Sequence, residues 1–434
     1  MEGPRENPPI LGTLIGMNEP LSTDPYKGVK DFYPSDWAQF TAVLEAQRRV
    51  LRAWGYEEYQ ASPLEPAELY EKKTSEEIVS EQTYTFEDRG GRRVTLRPEM
   101  TPTLARMVAG KRRELPLPLR WFSIGNRFRY ERPQRGRTRE FYQTDVDLIG
   151  LSEGEADLEV VMLADQIMKS FGASDDQYVV RVNSRALLTK ACEASGLSPE
   201  SMKSYLRLLD KRDKIAPEAF ATSLREISET DPLTLIEADD ARVHAEKEAI
   251  TSLIAELQAR GVKSAVFDPT LTRGFDYYTG LTFEIFDISP ENPRAILGGG
   301  RYDRLLALFG GDPIPAVGFA IGATTLTDFL DIHGLLPTAV PATQIYLGTP
   351  SHEDRASAAE FAQALRLEGM RVFVNLTERS LGDQVKDAVR RGAPYFIAYG
   401  SEEAATGRIR IKALSTGEEN ELLAADVAEY VSAR

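Results

Sequence analysis

The chain has 434 residues, enough for about two to four domains with real cores. A single cysteine, Cys192, excludes an intramolecular disulfide framework and a cysteine-built zinc site, and three scattered histidines (His244, His333, His352) give no basis for an imidazole metal centre, so no metal site is expected. The net charge of −15 argues against indiscriminate nucleic-acid binding though not against a local basic patch, and with no apolar run near the ~20 residues of a membrane span and no basic leader, a cytoplasmic setting is expected.

Residues 1–25 are rich in proline, glycine and polar side chains and read as an extended arm. Pro34-Ser35 then opens a helix, with Ser35 as the expected N-cap and Asp36 in the first turn. Trp37, Phe40, Leu44, Leu51 and Trp54 fall near one helical face, and Gly55 is placed to end it. Pro63 and Pro66 break the next stretch, as at an edge strand or an interface segment. YTFEDRGGRRVTLRP predicts a hairpin turning at Gly90-Gly91. It runs into RPEMTPTLARM, where Glu99 and Thr101 stand at the mouth of a helix beginning near Pro102.

Residues 120–150 predict two strands joined by an arginine-rich loop. Arg127, Arg129 and Glu131 share one parity on the first strand, and Gln143, Asp145 and Asp147 share one on the second. Phe128 and Tyr130, with Tyr142, Val146 and Leu148, take the other parity. One face is therefore apolar and one carries two arginines, a glutamine and three carboxylates, while the loop from Arg132 to Arg139 adds four arginines. Alone, such a ribbon reads as a half-buried hairpin with a solvated face. Partners for that face elsewhere in the chain would make it a site for an anionic, polyfunctional ligand.

A helix over 153–171 and the strand YVVRVNS follow, then a polar, helical insertion over about 186–240. A helix over 241–260 and the strand VKSAVFD resume the main domain. In LTRGFDYYTGLTFEIF the second half is a strand, with Tyr278 on the Glu284 parity and Arg273 beside Gly274. ILGGGRYDRLL joins a triple glycine, read as a tight turn before a phosphate cradle, to Arg301, Tyr302 and Asp303. PAVGFAIGATTLTDFL is a strand leading into a helix, and LPTAVPATQ, with Pro337 and Pro341, is the clearest linker. The tail over 343–434 alternates strands and helices in a βαβαβ order, which predicts a mostly parallel sheet.

No GxxxxGK[ST] and no GxGxxG between strand and helix is present, so a nucleotide would have to be held by arginines on a sheet. Arginine forks phosphate and keeps its charge at any working pH. Arg129 and Arg273, both read as strand-borne, are the candidates, against the plainer reading of surface ion pairs. Glu99, Glu131 and Asp147 can bind an ammonium group or a ring N–H, or simply pair with neighbouring arginines. So few histidines and cysteines leave chemistry by charge stabilisation and positioning, without a side-chain nucleophile.

RPEMTPTLARM, RFRYERPQRGRTREFYQTDVDLIG, TRGFDYYTGLTFE and GGGRYDRL together resemble the ordered motifs of the histidyl-tRNA synthetase family, class II, over roughly 26–434. The resemblance implies an α+β fold: an antiparallel sheet flanked by helices, a helical insertion and a C-terminal α/β anticodon-binding domain. The implied parts are an extension (1–25), a catalytic core in two pieces (26–185 and 241–334), the insertion (186–240), a linker (335–342) and the anticodon-binding domain (343–434). It implies ATP-dependent ligation of histidine to tRNA(His), with magnesium on the ATP, in a homodimer. By likeness Glu99, Thr101 and Gln143 would take the α-amino group, and Asp147 (often Glu in the family), Tyr278 and Tyr302 the imidazole. Arg129 and Arg273 would serve the α-phosphate, Glu131 the adenine region, Arg137 the ATP tail, and Arg135 and Arg137 the tRNA acceptor end. One departure stands out: Thr325 occupies the place of the family's third-motif arginine. That keeps open a silent paralogue, the histidine-sensing regulatory subunit of ATP phosphoribosyltransferase.

Overall fold

Residues 119–128 and 140–149 pair as one antiparallel ladder, with Leu119 opposite Ile149 and Phe128 opposite Glu140. The computed structural model describes residues 21–71, 82–132, 137–273 and 277–433. These form two compact units, one of the described residues to Asp31 with Gly55–Asp165 and Asp175–Phe329, the other of Phe32–Trp54, Gln166–Ser174 and residues from Leu330 on.

In chain order the strands of the first unit are β1 (Glu57–Glu58), β2 (Leu64–Pro66), β3 (Tyr84–Glu87), β4 (Arg93–Leu96), β5 (Leu119–Phe128), β6 (Glu140–Ile149), β7 (Tyr178–Ser184), β8 (Ala265–Phe267), β9 (Leu281–Asp287), β10 (Ala295–Arg301) and β11 (Ala316–Gly322). One sheet has the order β1-β5-β6-β11-β10-β9-β7-β8, and a smaller one the order β2-β4-β3. From β5 to β7 every neighbour is antiparallel, while the short edge strands β1 and β8 join in parallel. The hairpin of β3 and β4 turns at Gly91, whose φ of 74° suits glycine. The insertion is helical, with helices Arg185–Ala194, Pro199–Leu209, Pro217–Ile227 and Leu233–Glu237.

Register explains why the sheet carries a trough on one face. Directly opposed residues of an antiparallel pair share a face. Gln143, Asp145 and Asp147 of β6 oppose Gly322, Ala320 and Gly318 of β11. Gly318 and Ala320 in turn oppose Gly300 and Gly298 of β10. Those glycines oppose Thr282 and Glu284 of β9. The two middle strands thus show only small residues on this face, between a wall of carboxylates and amide on β6 and a carboxylate on β9.

The triple glycine is therefore neither a tight turn nor a phosphate cradle; it lies inside a central strand. A Cβ at Gly298 would run into Arg273 and Glu284, and one at Gly300 into Tyr278. A Cβ at Gly299, on the other face, would meet the carbonyl oxygen of Gly318 and the backbone of Phe319. Backbone cannot swing aside, so Gly299→Ala is expected to cost about 1–3 kcal/mol or more, read as a melting temperature several degrees below wild type. An unchanged melt would contradict this packing.

The helix Thr101–Gly110 buries Leu104, Ala105 and Val108 against Leu119, Ile149, Leu305 and Ala316. That contact fixes its N-terminal end at the edge of the trough. The long first helix, Pro34–Ala53, starts two residues earlier than expected. Tyr33 is the N-cap and Pro34 opens the helix, so Ser35 sits inside the first turn and caps nothing.

In the second unit, β12 (Ile345–Gly348), β13 (Val372–Val374), β14 (Tyr395–Ala398), β15 (Arg408–Ala413) and β16 (Glu419–Leu423) form a sheet in the order β13-β12-β14-β15-β16. Only β12 pairs in parallel, with β13 and β14; β14–β15 and β15–β16 are antiparallel. The expected mostly parallel sheet is thus a mixed one. β16 alternates exposed and half-buried positions, but its residues, ENELL, put three polar side chains before two leucines and so carry no period-two signal that would mark a strand. Leu347, Ile397, Ile409 and Ile411 pack with Ala358, Leu365 and Val427 into this unit's core.

Candidate active site

The trough floors a cavity of about 210 Å³, and this opens along the sheet into a second of about 890 Å³. Arg129, Arg273, Ala295, Gly322 and Thr325 line both. The smaller one gathers Glu99, Thr101, Gln143, Asp147, Tyr278 and Tyr302, side chains from four stretches of the chain. The larger is rimmed by Glu131, Arg137, Arg181, Lys214, Glu284 and Arg294. Its size lies in the usual ~300–1,000 Å³ range for small-molecule sites.

Each polar group in the smaller cavity is held by a specific neighbour. Tyr277 Oη donates to Glu99 Oε2 at 3.3 Å, and Tyr70 Oη donates to the Glu99 carbonyl at 3.1 Å. Gln143 Nε2 donates to Asp145 Oδ1 at 2.8 Å, while the fully buried Arg127 donates to Asp145 Oδ2 at 2.6 Å. Asp145 thereby sets the direction of the Gln143 amide. Tyr302 Oη donates to Asp147. Burial pushes the Asp147 carboxyl up to about 8, against the pull of the Tyr302 hydrogen bond and helped by the nearby Asp145. Three tyrosine rings close the cavity: Tyr277 lies 4.9 Å from Tyr278 and 5.9 Å from Tyr302, centroid to centroid.

The two arginines at the junction differ in environment. Arg129 Nε donates to the Pro98 carbonyl at 3.0 Å, and its guanidinium stands 5.3 Å from the Phe141 ring centroid. Burial draws its pKa below the ordinary arginine value, although Glu99 and Glu131 favour the charge. Arg273 is ion-paired to Glu284, with side-chain exposures of 17% and 15%, and donates to the Gly298 carbonyl at 3.4 Å. Neither is strand-borne as expected: β5 ends at Phe128, and Arg273 precedes β9. Arg129 still extends the ladder by one bond, its N–H donating to the Arg139 carbonyl at 2.9 Å.

Beyond the hairpin, Arg137 pairs with Glu131 at 3.3 Å. Arg139 stacks 3.9 Å from the Tyr130 centroid and donates to Tyr26 Oη at 2.8 Å, so the segment around Tyr26 is tied to the base of the loop. Arg135 and residues 1–20 lie outside the described residues. Other arginines singled out or adjacent in sequence are structural. Arg301 is fully buried and bonds Asp157, Asp303 and the carbonyls of Leu151 and Ser152. Arg97, also buried, donates to the carbonyls of Ala61 and Asn126.

A sequence profile described as histidyl-tRNA synthetase matches residues 28–326. The chain belongs to the histidyl-tRNA synthetase family. A second profile, described as an anticodon binding domain, matches residues 344–434. The chain is 38% identical over 411 residues to a protein named histidine–tRNA ligase from Leptospira biflexa serovar Patoc, covering 91% of this chain and 94% of that one. A solved histidyl-tRNA synthetase from Nostoc sp. PCC 7120 superimposes with a TM-score of 0.80 at 24% identity, over 96% of this chain and 100% of that one. A Bacillus halodurans protein described as an ATP phosphoribosyltransferase regulatory subunit/histidyl-tRNA synthetase gives a TM-score of 0.71 at 23% identity, over 86% and 97% of the two chains. At those identities the last two likenesses speak to the fold alone.

For this member of the histidyl-tRNA synthetase family, every expected amino-acid contact lines a single cavity. The sequence reading missed Tyr277, Asp145 and Arg294 as lining residues. Asp145 was on the right parity, and its partnership with Gln143 was readable from the two-residue spacing. Tyr277 and Tyr278 are consecutive, and only their joint turn away from regular strand lets both face the cavity. Thr325, where the resemblance implies an arginine, donates its hydroxyl to the carbonyls of Ile296 (3.1 Å) and Gly322 (3.0 Å).

Proposed function

We propose that this chain ligates L-histidine to tRNA(His), using ATP as its magnesium complex, through a histidyl-adenylate. The observation that carries the reading is one continuous trough with a small, carboxylate- and tyrosine-lined end, a large basic end, and Arg129 and Arg273 where the two meet. Histidine fills the small end. Its ammonium group is held by Glu99, Thr101 and Gln143, and its ring by Asp147 and Tyr278 with Tyr302 alongside. ATP lies in the large end, with Glu131 near the adenine and Arg137 toward the polyphosphate.

The histidine carboxylate attacks the α-phosphate, the α–β bridging bond breaks, and pyrophosphate leaves. Negative charge builds on the α-phosphoryl oxygens between Arg129 and Arg273, which are already fixed by Pro98 and Glu284 and need little reorganisation. The acceptor-end ribose hydroxyl then attacks the adenylate carbonyl and releases AMP. Arg135 and Arg137 face the acceptor end, and the domain over 343–434 reads the anticodon. A site that hydrogen-bonds both imidazole nitrogens rejects apolar amino acids by roughly 10⁴–10⁵ and needs no editing domain. The core pieces over 26–185 and 241–334, the insertion over 186–240 and the linker over 335–342 complete the assignment, with a homodimer as the working assembly. No described helix is long and apolar enough to cross a membrane.

A second reading, the regulatory subunit that senses histidine, is favoured only by Thr325. The profile match of the tail to an anticodon binding domain and the intact Arg273 support the enzyme instead. Purified protein is expected to exchange labelled pyrophosphate into ATP only when histidine is added, and to charge tRNA(His). Histidine binding without exchange would replace the enzyme by the regulatory subunit.

A further inference from the structure

Thr325 leaves the basic end of the trough one arginine short, and the connection from β9 to β10 holds another within reach. That connection, residues 288–294, is stapled to the end of β9: the Ser289 N–H donates to Asp287 Oδ1 at 2.8 Å and Asn292 Nδ2 to Asp287 Oδ2 at 3.3 Å. It delivers Arg294 to the rim of the larger cavity. Immediately after it, the ladder is irregular between Ala295 and Leu297, and the Ile296 carbonyl in that irregular step is the one Thr325 bonds. Arg294 and Thr325 are therefore tied to the same two-residue step of backbone and line the same wall.

Arg294 is also poised for an anion. Its Nη1 is buried without a hydrogen-bond partner, and among the described residues no carboxylate forms an ion pair with it. Glu131, the nearest acid on the loop side, is already paired to Arg137. Glu131 and Asp328 both favour the charge on Arg294, yet neither forms an ion pair with it among the described residues, so its guanidinium stays open to the tail of a triphosphate. Partial burial and then Arg137 pull the Arg294 pKa down, and Glu131 and Asp328, which favour its charge, do not offset them.

We propose that Arg294 binds the β- and γ-phosphates of ATP in place of the third-motif arginine that Thr325 has replaced. The assignment rests on the reading of the trough as a histidine and ATP site. It makes the lost arginine a relocation, from the first turn of the helix after β11 to the loop before β10, with the guanidinium entering the same cavity from the neighbouring strand.

The test is calorimetry of magnesium ATP, AMP and histidine on the full chain, wild type against Arg294→Ala and Arg294→Lys, with pyrophosphate exchange alongside. Loss of a charge-assisted contact predicts about 10- to 100-fold weaker ATP binding for Arg294→Ala. AMP, which lacks the β- and γ-phosphates, and histidine should bind within about twofold of wild type. The lysine variant keeps the charge and loses the fork, so a smaller loss confined to ATP is expected, and it carries the test should the alanine variant fail to fold. Unchanged ATP binding, equal losses for ATP and AMP, or a wild type that binds no ATP would each overturn the proposal. A wild type that loses ATP affinity selectively on substitution but shows no exchange would sink the ligase reading and leave Arg294 standing.

Discussion

Arg273→Ala is expected to lower histidine-dependent pyrophosphate exchange by about 10²–10³-fold, the usual cost of removing one preorganised donor from a developing oxyanion. The trough makes Arg273 a donor that is already oriented. Gly298 is the only residue type that fits beneath it, and Glu284 and the Gly298 carbonyl fix two of its nitrogens before any substrate arrives. The same pairing complicates the experiment. Deleting the guanidinium strands a mostly buried carboxylate at Glu284, at a cost of about 3–5 kcal/mol in stability. The double variant Arg273→Ala/Glu284→Gln removes that orphan charge. It should recover much of the melting temperature and none of the exchange. If the single variant, shown to be folded, keeps more than a tenth of wild-type exchange, Arg273 does not stabilise the transition state.

The hairpin was legible because period-two alternation is a local property. The parity of Gln143, Asp145 and Asp147 needs no knowledge of the rest of the chain, and β6 presents all three on the trough face. The glycines were visible but misread. A run of three glycines looks like a turn because local propensity gives no reason to build a strand from it, and β10 forms only because β9 and β11 flank it and leave room for no side chain. That information is tertiary.

Arginines show the limit most clearly. Arg127, Arg129 and Arg301 look alike in the sequence, each on or beside a strand. Arg127 is spent on Asp145 beneath the trough and Arg301 on Asp157 and two carbonyls behind it, while Arg129 lines both cavities. What separates them is where the partner carboxylates and carbonyls come from, and apart from Asp303, two residues from Arg301, those lie 18 to 150 residues away. Arg294 was passed over for the converse reason. It sits in a loop with no motif, and the lack of a hydrogen-bond partner at its Nη1 among the described residues is visible only in the folded chain.

Asp147 supplies a pH-dependent result of the opposite sign from ordinary acid denaturation. In the unfolded chain its carboxyl titrates near ~3.9. In the folded, ligand-free protein burial raises it to about 8. Between those values the native state holds one more proton than the unfolded state, so this group's contribution to stability is greatest at the acid end and declines as pH rises toward about 8. Other carboxylates titrate in the same range, so the quantity to measure is the difference in unfolding free energy between wild type and Asp147→Asn. That difference should shift against the wild type by up to about 1.4 kcal/mol per pH unit across the window and flatten on either side. A difference that does not vary with pH would mean the carboxyl is solvated and ionised as in water. In the proposed histidine site, the same burial would make Asp147 an exacting partner for the imidazole. Asp147→Ala, which leaves the Tyr302 hydroxyl without its acceptor and the ring without its carboxyl partner, should lower kcat/KM for histidine by about 10²–10³-fold. The loss should appear mainly for histidine, with KM for ATP little changed, because Asp147 lines only the smaller cavity.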